Sequence, residues 1–170
     1  MSIDKEIVKD FVTESKNLIH QALELLESIE GDSSQAQELE AYGNSVDRIM
    51  GGAKSLALLA PPTHSLHMIS DYSALCKAVG YKASQIKNNP QFYDVCVALL
   101  LDATETLEAL IDRVDETSDV LKKTLPQAFI ERVRWVSNQF SSEYRGSVDS
   151  TGSKTMNQSE IDDLMKKLGL

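Results

Sequence analysis

The chain has 170 residues, of which 42% are hydrophobic, 6% aromatic and 25% charged, and a formal net charge of -9. That length suits one domain with an appendage rather than two full domains, and ordinary apolar content with few Pro and Gly excludes wholesale disorder. The acidic balance argues against nucleic acid, whose phosphates demand clustered Lys and Arg, and the longest apolar run, Val95 to Leu101, falls far short of the roughly 20 residues of a membrane helix.

The opening MSIDKEIVKDF places no apolar stretch behind a basic cap, so no secretory signal is expected. Val8, Phe11, Ser15, Leu18, Ala22, Leu25 and Ile29 then recur at three or four residues, widened by Val12, Ile19 and Leu26, which predicts a first helix ended by Gly31-Asp32. Ser33 or Ser34 is expected to cap a second helix over about 34–59, stopped by Pro61-Pro62. Thr63 is expected to cap a third over about 64–86, with Leu66, Ile69, Ser73, Cys76 and Val79 inward, until Asn88-Asn89-Pro90 breaks it. A fourth over about 91–116 carries Val95, Leu99, Ala103, Leu107, Leu110 and Val114, and a fifth over about 121–145 carries Leu125, Phe129, Val133, Val136 and Phe140, with Trp135 beside the stripe. No period-2 strand stands out. The fold class is therefore all-α, an up-and-down helical bundle over residues 1–145.

Gly146 to Met156 reads GSVDSTGSKTM, a small polar linker over residues 146–156 that would span about 18 Å as a flexible chain. A last amphipathic helix over 157–170 follows, with Asn157 and Glu160 placed as a capping box and Ile161, Leu164, Met165 and Leu168 on one stripe. Periodicity leaves two placements open: a segment that orders in a partner's groove, or a terminal helix folded back on its own bundle. Cys76 and Cys96 have neither metal nor redox spacing and read as reduced core residues of a cytoplasmic protein. The three histidines, His20, His64 and His67, lack metal-ligand spacing, with His20 expected to pack or lie half-exposed and His64 to be solvated. Met50 and Met68 read as core filler. Gly51-Gly52-Ala53-Lys54-Ser55 is similar to the end of a phosphate-binding loop, but lacks its first glycine and a preceding strand. Charge is uneven, with ten acids and three lysines over 1–40 against five basic residues and two acids over 121–145; solvated faces or the steering of different partners both account for it.

The order of pieces over residues 1–145 resembles the histidine phosphotransfer (HPt) domain at the N-terminus of chemotaxis histidine kinases. That family places a phosphorylatable histidine three residues before a lysine, and IMGGAKSLALLAPP aligns with it, putting Lys54 at the lysine, Ser55 at the usual glycine and Gly51 at the histidine. Glycine has no nucleophile. The family's third-helix histidine and acid fall at His67 and Ser70, so the resemblance implies a pseudo-phosphotransfer face of Gly51, Lys54 and His67 that carries no phosphate.

The tail NQSEIDDLMKKLGL resembles the C-terminal peptide of the CheZ chemotaxis phosphatases and the N-terminal peptide of the FliM flagellar switch proteins, which share a run of the form S-Q-x-x-[IV]-D-x-L-L. Both families bind the receiver CheY. The resemblance implies that Gln158, Ile161, Asp162, Leu164, Met165 and Leu168 meet a CheY-like response regulator. It further implies two-component signalling without a cofactor of the chain's own, any Mg2+ being carried by the receiver. CheZ uses an acid and, four residues later, a glutamine. The nearest match here is the pair Glu40 and Asn44, acid then a shorter amide, as candidate catalytic residues; ordinary solvated polarity explains the same pair. Three functions follow in order: receiver binding with dephosphorylation as an addition, a non-catalytic pseudo-HPt adaptor, and a phosphorelay protein using His67.

Overall fold

The computed structural model describes residues 3–143 and 158–170, with side chains over 3–140 and 159–170. Among these residues there are helices and no strands: α1 (Lys5–Ile29), a 3-10 turn (Ser33–Glu38), α2 (Leu39–Ala57), α3 (Ser65–Ala83), α4 (Pro90–Asp112), α5 (Ser118–Lys122), α6 (Gln127–Glu143) and α7 (Gln158–Lys167). The all-α bundle is as expected. None of these helices is long and apolar enough to cross a membrane.

Local chemistry sets the boundaries, and several caps differ from expectation. Asp4 starts α1 by accepting from the Glu6 amide at 2.8 Å, and Gly31, at φ +79°, ends it in the left-handed region. Asp32, rather than Ser33 or Ser34, caps the next segment by accepting from the Ser34 amide and the Gln35 side chain. That segment opens as the 3-10 turn, so α2 begins only at Leu39. His64, rather than Thr63, caps α3: its Nδ1 accepts from the Leu66 amide at 3.2 Å, so the ring is engaged in the fold and not simply solvated. Asn89 caps α4 through the Phe92 amide, with Pro90 in the first turn. The expected single helix over 121–145 is two, because Pro126 has no N–H to donate and drives Leu125 out of helical geometry. Trp135 on α6 stays half-exposed, edge-on to Phe92 at 6.2 Å.

Helices α1 to α4 close a ring, each packed on the next and α4 on α1. Three buried tyrosines tie α4 to the others. Tyr93 donates to the Ile29 carbonyl at 2.6 Å, Tyr72 to the Ala103 carbonyl at 2.9 Å, and Tyr42 to Thr104 Oγ1 at 2.9 Å. Thr104 gives its own hydrogen to the Leu100 carbonyl, which makes Tyr42 the donor. The link before α3 is pinned to the link before α5: the Ser118 amide donates to the Thr63 carbonyl at 2.9 Å and the Ser65 amide to the Glu116 carbonyl at 3.2 Å.

The closest helix contact is between α2 and α3. A Cβ on Gly43 would lie 2.3 Å from the Tyr81 ring, and one on Gly80 would lie 2.6 Å from the Tyr42 ring. Each glycine thus receives the other helix's tyrosine. An outer layer then covers α3: α5 packs on it, and Phe129 and Val133 of α6 close over Tyr72, Cys76, Leu99 and Ala103. Helix α7 packs on α3 and α6. This is why α3 is buried on almost every side rather than along one stripe. Cys76 and Cys96 are buried free thiols, both pushed up to about 12 by burial.

Two glycine substitutions separate packing from helix propensity. Gly80→Val is expected to cost about 2 kcal/mol by overpacking against Tyr42. Gly51→Ala, where an added Cβ meets nothing within 4 Å, is expected to gain about 0.5–1 kcal/mol. Urea unfolding of the two variants checks both signs.

Candidate functional site

The seam between α2 and α3 collects the predicted residues that lie on α2. Glu40, Asn44, Asp47, Gly51 and Lys54 succeed one another at three or four residues along one face of α2. Facing them on α3 are Ser70, Asp71, Ala74, Lys77 and Tyr81.

At the Glu40 end, both candidate catalytic side chains are exposed. Tyr81 donates to Asn44 Oδ1 at 2.6 Å, which fixes the amide through its acceptor oxygen. Burial, with Asp47 and Glu40 nearby, pushes the Tyr81 phenol up to about 12, so it stays a donor across the ordinary pH range. In the middle of the seam Lys77, only 5% exposed, holds Asp47 at 2.8 Å. The stem of Lys77 is buried with the helix, and its ammonium reaches α2.

At the Lys54 end the seam opens into a groove of about 420 Å³, walled by Met50 and Lys54 of α2, by Asp71 and Lys77 of α3, and by Asp163 and Lys167 of α7. Met50 is therefore a groove residue rather than core filler, whereas Met68 is 2% exposed and buried as expected. Asp71, next to the Ser70 that the alignment on Lys54 put at the acid, is a carboxylate on the wall of this groove. Burial raises the Asp71 carboxyl, opposed by the ammonium groups of Lys167, Lys122 and Lys54 and by the neighbouring His67. Helical spacing was the available signal: Asp71 follows His67 by four residues, on the same face.

A Cβ added on Gly51, the position that the resemblance aligned with a histidine, would meet nothing within 4 Å. His67 stands one turn before Asp71, but its Nε2 is buried without a hydrogen-bond partner, so that nitrogen is not presented to a phosphoryl donor. His20 lies away from the seam, with its side chain 61% exposed and Nε2 3.0 Å from Glu108, more open than the packed or half-exposed position expected. His64 lies on the wall of a separate groove of about 740 Å³, lined also by Val8, Val12, Pro61 and Val114. None of the predicted site residues lines it. Among the described residues, no group of three His, Cys, Asp or Glu is placed to hold a metal ion.

The remaining predicted residues lie on α7. Of the two placements left open by periodicity, the structure takes the second, with the helix folded back on its own bundle. Ile161, Met165 and Leu168 are 1%, 7% and 2% exposed, Leu164 is half-buried beside the groove, and Asp162 is exposed. Asn157 and the side chain of Gln158 lie outside the described residues, so the expected capping box is not described; Glu160 does lie in the first turn. The far end is closed by a Schellman cap. The Leu170 amide donates to the Met165 carbonyl at 2.8 Å, the Gly169 amide to the Lys166 carbonyl at 3.0 Å, and Gly169 sits at φ +78°. Lys166 and Lys167 in the last turn and Glu160 in the first complement the helix dipole. Helix α7 is thus well specified by its own residues, although it is short.

Comparison with family models, curated proteins and solved structures finds no match to this chain. The functional reading therefore rests on residue runs and geometry.

Asp47→Ala removes the carboxylate that meets the buried Lys77 ammonium. It is expected to destabilise the chain by about 1–2 kcal/mol, less than a fully buried pair because Asp47 is partly exposed. Thermal unfolding beside Lys77→Met, expected to be milder, checks that the burial of Lys77 is the cause.

Proposed function

We propose that this chain is a chemotaxis-type signalling protein that binds a CheY-like response-regulator receiver domain through α7. The observation that carries the reading is the run Gln158-Ser159-Glu160-Ile161-Asp162-Asp163-Leu164-Met165, carried on a capped amphipathic helix. Such a helix presents apolar anchors at i, i+3, i+4 and i+7, the arrangement by which short helices fill grooves on partners. Residues 3–143 supply a bundle, with the pseudo-phosphotransfer face of Gly51, Lys54 and His67 as a second surface for the same receiver. Two weak contacts on one chain reinforce each other through an effective concentration on the order of mM. A bundle that holds its partner through two surfaces and has glycine where a nucleophile is needed suits an adaptor in the cytoplasm.

Deleting residues 157–170 is expected to weaken receiver binding by about tenfold or more. The measurement is a titration of intact and shortened chains with phosphorylated and unphosphorylated receiver. Undiminished affinity in the shortened chain would sink the reading.

Dephosphorylation is the second reading, and the fixed amide of Asn44 favours it. Glu40 and Asn44 would orient a water for in-line attack on the phosphorus of the receiver's aspartyl phosphate; the bond from phosphorus to the aspartyl oxygen breaks, and inorganic phosphate leaves. The receiver brings the aspartate and the Mg2+. The chain contributes position only. Glu40→Ala with Asn44→Ala is expected to lower phosphate release by about tenfold or more without changing receiver affinity. An unaltered rate removes the pair from any catalytic role.

A further inference from the structure

We infer that α7 has two mutually exclusive berths, its own bundle and the receiver, so that the bundle holds the hook closed and receiver capture uncovers the α3 wall of the groove beneath it. This rests on the receiver-binding reading above and adds regulation to it. The residues that the receiver would take, Ile161, Leu164 and Met165, include two that are already buried on α3 and α6, and the third is half-buried. One side chain cannot fill two grooves at once. Capture of the hook therefore requires α7 to leave α3.

What α7 covers gives its departure a consequence. The groove it helps to wall contains Met50, Lys54, Ser70, Asp71, Ala74 and Lys77 on the bundle side. These residues border the pseudo-phosphotransfer face. The contact is also charge-matched, since Lys167 of α7 is close enough to Asp71 to favour its ionised form, while Glu160 and Asp163 share the groove with Lys54 and Lys77. A helix released from this place uncovers Ser70 and Ala74, which are 9% and 7% exposed beneath it, and frees the half-buried Asp71, whereas Lys54 is already exposed. A chain without receiver would keep the apolar face of the hook hidden. The binding-competent state is only a fraction of the free chain, and apparent affinity falls by that fraction.

The test uses the intact chain, an Ala74→Glu variant and the free peptide 157–170. Ala74 is 7% exposed on the bundle side of the groove, where a carboxylate crowds α7 without changing any tail residue. Amide exchange over 159–168 is expected to be slow in the intact chain and at least about tenfold faster in the variant. The variant is expected to bind a CheY-like receiver about tenfold more tightly than the intact chain does, since both retain the second surface on the bundle. Exchange over 159–168 as fast in the intact chain as in the peptide overturns the closed berth. Equal receiver affinity of variant and intact chain, with exchange over 159–168 faster in the variant, overturns the exclusivity. A protected α7 whose peptide binds no receiver overturns the receiver reading itself, and the second berth with it. Should Ala74→Glu fail to fold, Ala74→Gln, which crowds α7 without adding a charge, is read in the same way.

Discussion

The reciprocal seating of two tyrosines on two glycines, Tyr81 on Gly43 and Tyr42 on Gly80, is the contact from which the rest of the molecule is laid out. Helix axes ordinarily stand about 8–10 Å apart, and the absence of a Cβ on each side lets rings fill the space that side chains would otherwise hold. Tyr42 is sealed and hydrogen-bonded to α4, so it cannot swing aside. The same closeness brings the Tyr81 hydroxyl to Asn44 and the Lys77 ammonium to Asp47. The seam on which the candidate residues lie is thus a product of the packing, and its polar contacts follow from where the glycines fall.

The second organising fact is the enclosure of α3. A helix that touches α2, α4, α5, α6 and α7 has little surface left for water, and its polar side chains are buried with the rest. Ser65 donates to the Val114 carbonyl, and Lys77 reaches an acid on α2. Burial lowers the Lys82 ammonium below its ordinary value. Polar groups in such a position stay only where partners or a path to solvent compensate their desolvation. The break at Pro126 serves this enclosure, because it turns the chain from α5 on α3 to α6 on α4.

Much of this was legible in the residues. The stripes of α1 and α4 repeat at helical spacing, and Phe11, Leu18, Ala22, Leu99, Leu107 and Leu110 are buried as that spacing predicts, whereas Val95, expected on the same stripe of α4, is exposed. Breaks at Gly31-Asp32 and Asn88-Asn89-Pro90 fall where the turn residues stand. The end of the bundle was misread at Pro126, where an apolar period ran on through a residue that forbids the helix. The caps were misread because Asp32 and His64 compete with neighbouring Ser and Thr, and only the backbone direction decides between them. A low amphipathic signal hid the burial of α3, since a helix covered on all sides has no polar face to contrast. For the site, the α2 residues were visible as a face, but Asp71, Lys77 and the overlying α7 were not. Their proximity comes from tertiary packing between segments far apart in the chain, which no local period encodes.

The two cysteines carry a practical corollary. Cys76 and Cys96 sit inside the bundle with thiols pushed up to about 12, so neither offers a thiolate to an electrophile near neutral pH while the fold is intact. Alkylation of these sulfurs would therefore report global opening of the molecule. A fluorophore attached through a cysteine engineered at a solvent position would label that position cleanly, with both natural thiols left in place.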